Sequence, residues 1–176
     1  MEELKPPYLQ IRVDEHLLLR QLTPDEAQEL FDMTEKNKKY LKPWMPWLKD
    51  NRTVKDSESF ILSVLDKRNK EMRYGYGMIY DDRIAGHISI MHLNDERHPE
   101  IGYWLDHELN GRGLTTKAVM KLTDFGLNTL GLKKILIKAK PENTGSNRVA
   151  EKCGYKLEET KEYPNRGPMN VWSITR

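Results

Sequence analysis

The chain has one cysteine, Cys153, so no disulfide bond can form within it. Scarce cysteine of this kind fits a protein of a reducing compartment. No apolar run approaches the roughly 18 residues that a membrane-spanning helix needs. Residues 1–7 lack the basic and apolar segments of a secretory signal. We therefore expect a cytoplasmic protein with no membrane span.

Charge of one sign is not in excess either, which argues against a nucleic-acid partner. The 29 Lys and Arg residues nearly balance the 27 Asp and Glu residues, leaving a formal net charge of +2. Domains that bind nucleic acid usually carry a clear basic excess, so no nucleic-acid partner is predicted. The five histidines show no ligand spacing such as His-x-x-x-His, so no metal site is predicted.

The sequence predicts a single domain over residues 1–176, because neither a linker rich in Gly, Ser or Pro nor an internal repeat divides it. Apolar periodicity distinguishes strands from helices. The predicted strands are 8–13, 16–22, 74–80, 83–91, 99–105, 132–139, 155–159 and 170–175, and the predicted helices are 24–37, 53–71, 113–130 and 143–153. Hairpins come first and a β-α-β-α-β segment follows, so we expect an α/β (α+β) fold with a mixed sheet and helices on both faces.

A glycine-rich turn follows the predicted strand at 99–105 and opens the next helix. It reads Asn110-Gly111-Arg112-Gly113-Leu114-Thr115-Thr116-Lys117. Glycines let the backbone point several N–H groups at one place, and the helix start adds unpaired N–H groups and a positive dipole end. The pattern predicts a phosphate site, which the Arg112 cation and the Thr115 and Thr116 hydroxyls also suit. By itself the Gly-x-Gly pattern is a weak signal, because it often forms only a tight connection.

A second polar helix start follows the next predicted strand, in the segment Asn143-Thr-Gly-Ser146-Asn-Arg-Val-Ala-Glu-Lys-Cys-Gly-Tyr155. Asn143 and Ser146 lie three residues apart, so both side chains face one side of the helix start. The simpler interpretation is that Asn143 only caps the helix.

Together the two elements resemble the GNAT superfamily of acetyl-CoA-dependent N-acetyltransferases over residues 8–175, most strongly at 99–118 and 139–157. The Glu100-Ile-Gly-Tyr-Trp-Leu strand, the Asn-Gly-Arg-Gly-Leu-Thr loop and the Asn-x-x-Ser segment ending in Gly-Tyr are similar to the ribosomal-protein N-terminal acetyltransferases. The resemblance implies a GNAT fold, with a mostly antiparallel sheet of about seven strands and a splayed cofactor-binding strand.

The resemblance also implies how the cosubstrate acetyl-CoA is held. Its pyrophosphate would lie on the backbone N–H groups of residues 112–117, and its pantetheine arm along residues 103–105. An N–H near Trp104 or Leu105 would face the thioester oxygen. The full predicted cofactor set is Tyr103, Trp104, Leu105, Asn110, Gly111, Arg112, Gly113, Leu114, Thr115, Thr116, Lys117, Asn143 and Ser146. Asn110 and Thr115 depart from the superfamily's usual residues, but neither change removes a backbone N–H.

Three residues are predicted to be catalytic. Ser146 matches the serine that the ribosomal-protein type uses, and it would stabilise the thiolate or relay a proton. Other relatives place a tyrosine seven residues after the helix-start Asn, where this chain has Ala150. Glu100 would act as general base through water, or else is merely an exposed carboxylate at a strand end. Glu162 is a weaker candidate by analogy. Cys153 is expected to be a packed core residue rather than an acyl carrier.

The predicted activity is direct acetyl transfer, in a ternary complex, to the N-terminal α-amine of a ribosomal protein. An α-amine, with a pKa of about 7.7–8.0, is far more often neutral at pH 7 than a lysine amine and needs only a modest base. The alternatives are acetylation of a small amine, such as a polyamine or aminoglycoside, and a non-catalytic acyl-CoA-binding module. The resemblance implies that Tyr40, Trp44, Met45 and Trp47 would help to line the acceptor groove, and the alternative expectation is that they plug the core. A monomer or a homodimer is expected.

Overall fold

The structure is a computed structural model that describes residues 10–94 and 98–176. The strands are β1 (Gln10–Arg12), β2 (Leu17–Arg20), β3 (Arg73–Tyr80), β4 (Arg83–Met91), β5 (Glu100–Leu105), β6 (Lys134–Ala139), β7 (Lys156–Tyr163) and β8 (Gly167–Thr175). The helices are α1 (Ala27–Leu41), α2 (Val54–Asn69), α3 (Leu114–Asp124) and α4 (Thr144–Lys152). No helix in the described ranges is long and apolar enough to cross a membrane.

All the strands form one sheet in the order β1-β2-β3-β4-β5-β6-β8-β7. Every neighbouring pair is antiparallel except β5 and β6, which are parallel. The predicted mixed, mostly antiparallel sheet is therefore confirmed, with eight strands rather than about seven.

Several predicted boundaries were wrong. The β7–β8 hairpin is longer than predicted, because the two strands pair from Lys156 to Gly167 through polar residues that show no apolar alternation. The helix predicted at 113–130 ends as an α-helix at Asp124 and continues as a π-helix, Phe125–Thr129. The strand predicted at 8–13 is Gln10–Arg12, and residues 8 and 9 lie outside the described residues.

Each face of the sheet carries one pair of helices. Ile101 and Leu105 of β5 pack with α3 and α4 in one core. Trp104, which points the other way because side chains alternate along a strand, packs with α1 and α2 in a second core. We call these the α3 face and the α2 face. The two cores hold the sheet between helices on both sides, as predicted.

The parallel pair β5 and β6 is joined at only one position, Glu100 with Leu136. By contrast, β5 stays paired with β4 along its whole length, from Glu100 to Leu105. The next residue, Asp106, extends this pairing, because its N–H donates to the Ala85 carbonyl at 2.7 Å. The carboxyl ends of β5 and β6 therefore part and leave a wedge-shaped gap in the sheet, which we call the splay.

A glycine keeps the end of β5 close to β4. Gly86 lies opposite Leu105, and a Cβ atom at Gly86 would overlap the Trp104 carbonyl oxygen. Only a residue without a side chain allows this approach of the two backbones. The close approach holds β5 on the β4 side of the splay.

Replacing Gly86 with alanine should destabilise the fold, because the overlapped atom belongs to the main chain and cannot rotate away. We expect the free energy of unfolding to fall by about 1–3 kcal/mol, as in other overpacked cores. Gly145→Ala in α4 is the matched control, since its Cβ would meet only Asn143 Oδ1, at 3.9 Å. Urea unfolding of both variants measures the difference, and equal changes in stability would contradict the prediction.

Candidate active site

The glycine turn before α3 presents a row of main-chain donors. Gly111 and Gly113 have φ values of +80° and +74°, a left-handed backbone that favours glycine. The first bond of the helix runs from the Lys117 N–H to the Gly113 carbonyl, at 3.0 Å. The N–H groups of Leu114, Thr115 and Thr116 therefore precede that bond and have no acceptor within the helix. The turn itself is exposed, so these donors face a site that an anion can reach.

Lys117 differs from the prediction, because both of its donor groups are already used. Its N–H bonds to Gly113, and its Nζ forms an ion pair with Asp14 Oδ2 at 2.8 Å. That hydrogen bond, together with those from the His16 and Leu17 N–H groups, lowers the pKa of Asp14 to about 2. The predicted run of free donors thus ends at Thr116, and Lys117 ties the turn between β1 and β2 to the start of α3.

The splay supplies a second set of main-chain donors. Alternate residues of an antiparallel strand direct their N–H groups to the same side. Since the Asp106 N–H bonds to Ala85 on β4, the Trp104 N–H also points to β4. The N–H groups of Tyr103 and Leu105 then point away from β4, into the splay. Of the two residues proposed to face a thioester oxygen, the register therefore selects Leu105.

Asn143 and Ser146 lie at the start of α4, beside the splay. Asn143 Oδ1 accepts a hydrogen bond from the Ser146 N–H at 3.2 Å, so Asn143 is the helix N-cap. Ser146 Oγ lies 2.8 Å from the hydroxyl of Tyr103. Burial raises the pKa of Tyr103 to about 12, so the phenol keeps its proton at neutral pH. The sequence predicted Tyr103 only as a backbone contact. The contact of its side chain with Ser146 was missed, although its position on β5 placed it on the α3 face.

Glu100 is not the exposed carboxylate that one interpretation expected, since only 7% of its surface is accessible. Its Oε2 forms an ion pair with Lys138 Nζ at 2.9 Å. Glu100 alternates with Ile101 and Tyr103 along β5, so its side chain lies on the α2 face, at the closed end of the splay. The partner cation Lys138 was not predicted from the sequence.

Glu162 stands apart from this group. It is exposed on β7, and β8 and β6 lie between that strand and β5. Within the described chain no hydrogen bond or ion pair joins Glu162 to Ser146 or Glu100. The neighbouring Tyr163 does approach the site, with its ring centroid 5.0 Å from Lys138 Nζ. A catalytic role for Glu162 stays a prediction.

The aromatic segment that runs from the last turn of α1 toward α2 is largely at the surface. Tyr40 is 51% exposed and Trp47 is 39% exposed, so neither plugs the core. The Trp47 ring is nearly parallel to the Phe60 ring of α2, at 6° with centroids 6.2 Å apart. Met45, in contrast, packs against the α2-face core. The Tyr40 ring stacks on the His107 ring, with centroids 3.8 Å apart, whereas the exposed Trp47 is placed to contact a molecule on the α2 face.

Cys153 lies just after α4 and packs against the α3-face core. Its thiol donates a hydrogen bond to the Thr116 carbonyl at 3.4 Å. Burial raises the pKa of this thiol to about 11, so little thiolate exists at neutral pH and the group is a poor nucleophile. Among the described residues, no three His, Cys, Asp or Glu side chains cluster as metal ligands would.

Sequence and structure comparisons agree on the kind of protein. The family model described as an acetyltransferase (GNAT) domain matches residues 16–156. Among curated proteins, the chain is 30% identical to the "putative ribosomal N-acetyltransferase YdaF" of Bacillus subtilis strain 168, over 85% of this chain and 82% of that protein. It is 26% identical to the ribosomal-protein-serine acetyltransferase of Escherichia coli K12, over 84% of this chain and 83% of that protein.

Solved structures share the architecture. The microcin C7 self-immunity acetyltransferase MccE, in complex with acetyl-CoA and AMP, superposes with a TM-score of 0.89 at 27% identity over 98% of both chains. The ribosomal L7/L12 acetyltransferase RimL, in complex with coenzyme A, superposes with a TM-score of 0.88 at 21% identity over 94% of this chain and 97% of that chain. At this identity the likeness shows only that the two proteins share a fold. The family match spans most of the chain and includes the splay, the glycine turn and Ser146. The chain belongs to the GNAT acetyltransferase family.

Proposed function

We propose that the protein transfers the acetyl group of acetyl-CoA directly to the N-terminal α-amine of a ribosomal protein. The observation that carries this proposal is the pair of main-chain donor sets on either side of residues 106–110: Tyr103 and Leu105 in the splay, and Leu114 to Thr116 at the start of α3. Relatives named as ribosomal-protein acetyltransferases support the acceptor. A cytoplasmic location and a monomeric or homodimeric state stay predictions.

The two donor sets fit coenzyme A in their chemistry. The N–H groups of the glycine turn and the helix start suit a diphosphate, because oriented main-chain N–H groups and the dipole both favour an anion. The Tyr103 and Leu105 N–H groups suit amide and thioester oxygens of an extended arm, which would add to β5 as a strand does. Acetyl-CoA supplies an electrophilic thioester carbonyl there, and the Leu105 N–H would stabilise charge on its oxygen.

The two faces of the sheet divide the proton chemistry between them. Glu100 lies on the α2 face, and Tyr103 with Ser146 lies on the α3 face. The amine would approach from the α2 face and lose its proton to Glu100 through water. The thiolate would leave on the α3 face and accept a hydrogen bond from Ser146, while Tyr103 donates to Ser146 in turn. Tyr103 thus acts as a positioning residue for the serine hydroxyl.

A second candidate acceptor is a small amine that carries a planar ring. The nearly parallel Trp47 and Phe60 rings on the α2 face favour it, since planar groups stack on aromatic side chains. The MccE relative, whose structure contains AMP, supports the same class. The polyamine and aminoglycoside alternatives lack such an observation. A non-catalytic acyl-CoA-binding module would acetylate none of these acceptors.

Calorimetry tests the diphosphate site first. We expect coenzyme A to bind at least tenfold more tightly than pantetheine, which lacks the diphosphate. Arg112→Ala should weaken coenzyme A binding up to about fivefold, the effect of one exposed cation on an anion. Lys121→Ala, an exposed cation later in α3, is the control and should change nothing. Equal affinity for coenzyme A and pantetheine would contradict the proposed site.

Thiol release with a panel of peptides and small amines tests the acceptor. We expect peptides with a free α-amine to be acetylated with a higher kcat/KM than polyamines, aminoglycosides or aminoacyl nucleotides, and Nα-blocked peptides to be inactive. The reason is the larger neutral fraction of an α-amine near pH 7. A clear preference for the nucleotide-bearing amine would replace the first candidate with the second.

The Tyr103–Ser146 pair should act on turnover rather than on binding. Ser146→Ala should lower kcat about 100-fold, the lower end of proton-transfer effects, and Tyr103→Phe about tenfold, with coenzyme A affinity unchanged. Tyr155→Phe is the matched control, because Tyr155 makes the same 2.8 Å hydroxyl contact, to Thr123, within the α3-face core. If Tyr103→Phe and Tyr155→Phe behave alike in steady-state kinetics, the positioning role is wrong.

A further inference from the structure

Arg73 is a part-buried cation on the α2 face to which the described residues offer no anionic partner. Arg73, the first residue of β3, donates from Nε and Nη2 to the same atom, Ser89 Oγ, at 3.0 and 2.8 Å. Within the described residues no carboxylate pairs with it. A guanidinium has five N–H donors, so donors remain for a further acceptor. The residue keeps some exposure to solvent, which leaves those donors within reach of a ligand.

Burial makes the unpaired Arg73 charge costly. The Phe60 ring lies over the guanidinium, with its centroid 5.3 Å from Cζ, and this cation–π contact offsets only part of that cost. Burial lowers the pKa of Arg73 to about 10, which still leaves it charged at neutral pH. The nearby His87 is held neutral, because burial and the Arg73 charge lower its pKa to about 3. A part-buried charge is normally retained only where an opposite charge compensates it.

Arg73 flanks the path that an acceptor would take. Ser89, which accepts the Arg73 hydrogen bonds, pairs with Gly102 of β5, a half-buried residue without a side chain. Gly102 lies between Glu100 and Trp104 on the α2 face, at the edge of the splay. Leu105 is three residues further along β5, and one strand spacing separates β5 from β4. Ser89 therefore lies roughly 11 Å from the Leu105 N–H, from a rise of about 3.4 Å per residue and a spacing of about 4.8 Å, and the guanidinium, which reaches Ser89 from β3, lies at least that far away.

We propose that Arg73 binds a carboxylate of the peptide acceptor, so that the enzyme selects N-termini with an acidic side chain within their first four residues. The distance of roughly 11 Å corresponds to about three residues of extended peptide beyond the reacting amine. This inference rests on the proposed function, because it assigns a feature of the same acceptor. An arginine–carboxylate hydrogen bond in a partly desolvated site is strong enough to give selectivity.

Paired peptides test the inference on the wild-type enzyme. Each pair has the same free N-terminal residue and length and differs only by Asp or Asn at position 2, 3 or 4. We expect the Asp peptide of at least one pair to have a kcat/KM about tenfold higher or more. Equal kcat/KM values in all three pairs would overturn the inference and leave the proposed function intact. If no peptide is acetylated, both fail together.

Variants then assign the preference to Arg73. In Arg73→Gln the kcat/KM of the Asp peptide, divided by that of the Asn peptide, should fall close to one, while the Asn peptide is still turned over. Arg73→Lys should keep part of the preference for the Asp peptide. Arg83→Gln, which removes an exposed arginine at the start of β4, is the control and should keep all of it. A preference that survives in Arg73→Gln would overturn the assignment. Because the wild-type pairs are decisive by themselves, a variant that folds poorly does not remove the test.

Discussion

The parting of β5 from β6 is the constraint on which the rest of the structure depends. A parallel pair joined only through Glu100 and Leu136 leaves main-chain donors of Tyr103 and Leu105 without a strand partner. Unpaired N–H groups inside a protein are costly, and here a hairpin partner on the other side keeps β5 straight and in place. The gap therefore persists as a ready-made edge, to which the proposed extended ligand would add as a further strand. The glycine turn begins five residues after β5 ends, and the N–H groups of the residues between them are bonded within the protein.

Helix α1 fixes the segment that joins the splay to the glycine turn. Lys36 Nζ binds Asp106 Oδ2 and Glu108 Oε2, each at 2.7 Å. Asn37, which is fully buried, accepts hydrogen bonds at 2.9 Å from both the N–H and the Nδ1 of His107. These contacts bind the segment after β5 to a helix of the α2 face. A helix on the proposed acceptor side thus holds the segment that positions the proposed cofactor site, so the two sites share one support.

The parts of the site that were predictable from the sequence are the local ones. Each of these parts involves residues within a few positions of each other: the glycine turn, the free N–H groups of the helix start and the Asn143 cap. The residue types alone indicate their chemistry. The contacts between Tyr103 and Ser146, 43 residues apart, and between Glu100 and Lys138 depend on how strands and helices pack. The β7–β8 extension was missed for a related reason, because pairing with a neighbouring strand, rather than apolar alternation, holds it.

The distribution of charge across the splay matches the two proton transfers that amide formation requires. Charged groups lie on the α2 face, where the Glu100–Lys138 pair and Arg73 stand. The α3 face offers neutral hydroxyls, since Tyr103 keeps its proton and Ser146 is uncharged. A carboxylate beside the departing sulfur would repel the thiolate, whereas a hydroxyl donates to it without adding charge. Conversely, a neutral hydroxyl would be too weak a base to take a proton from the amine. The strand that separates the two faces would therefore keep the proposed base, Glu100, away from the leaving group, and alternation along β5 alone is enough to achieve that separation.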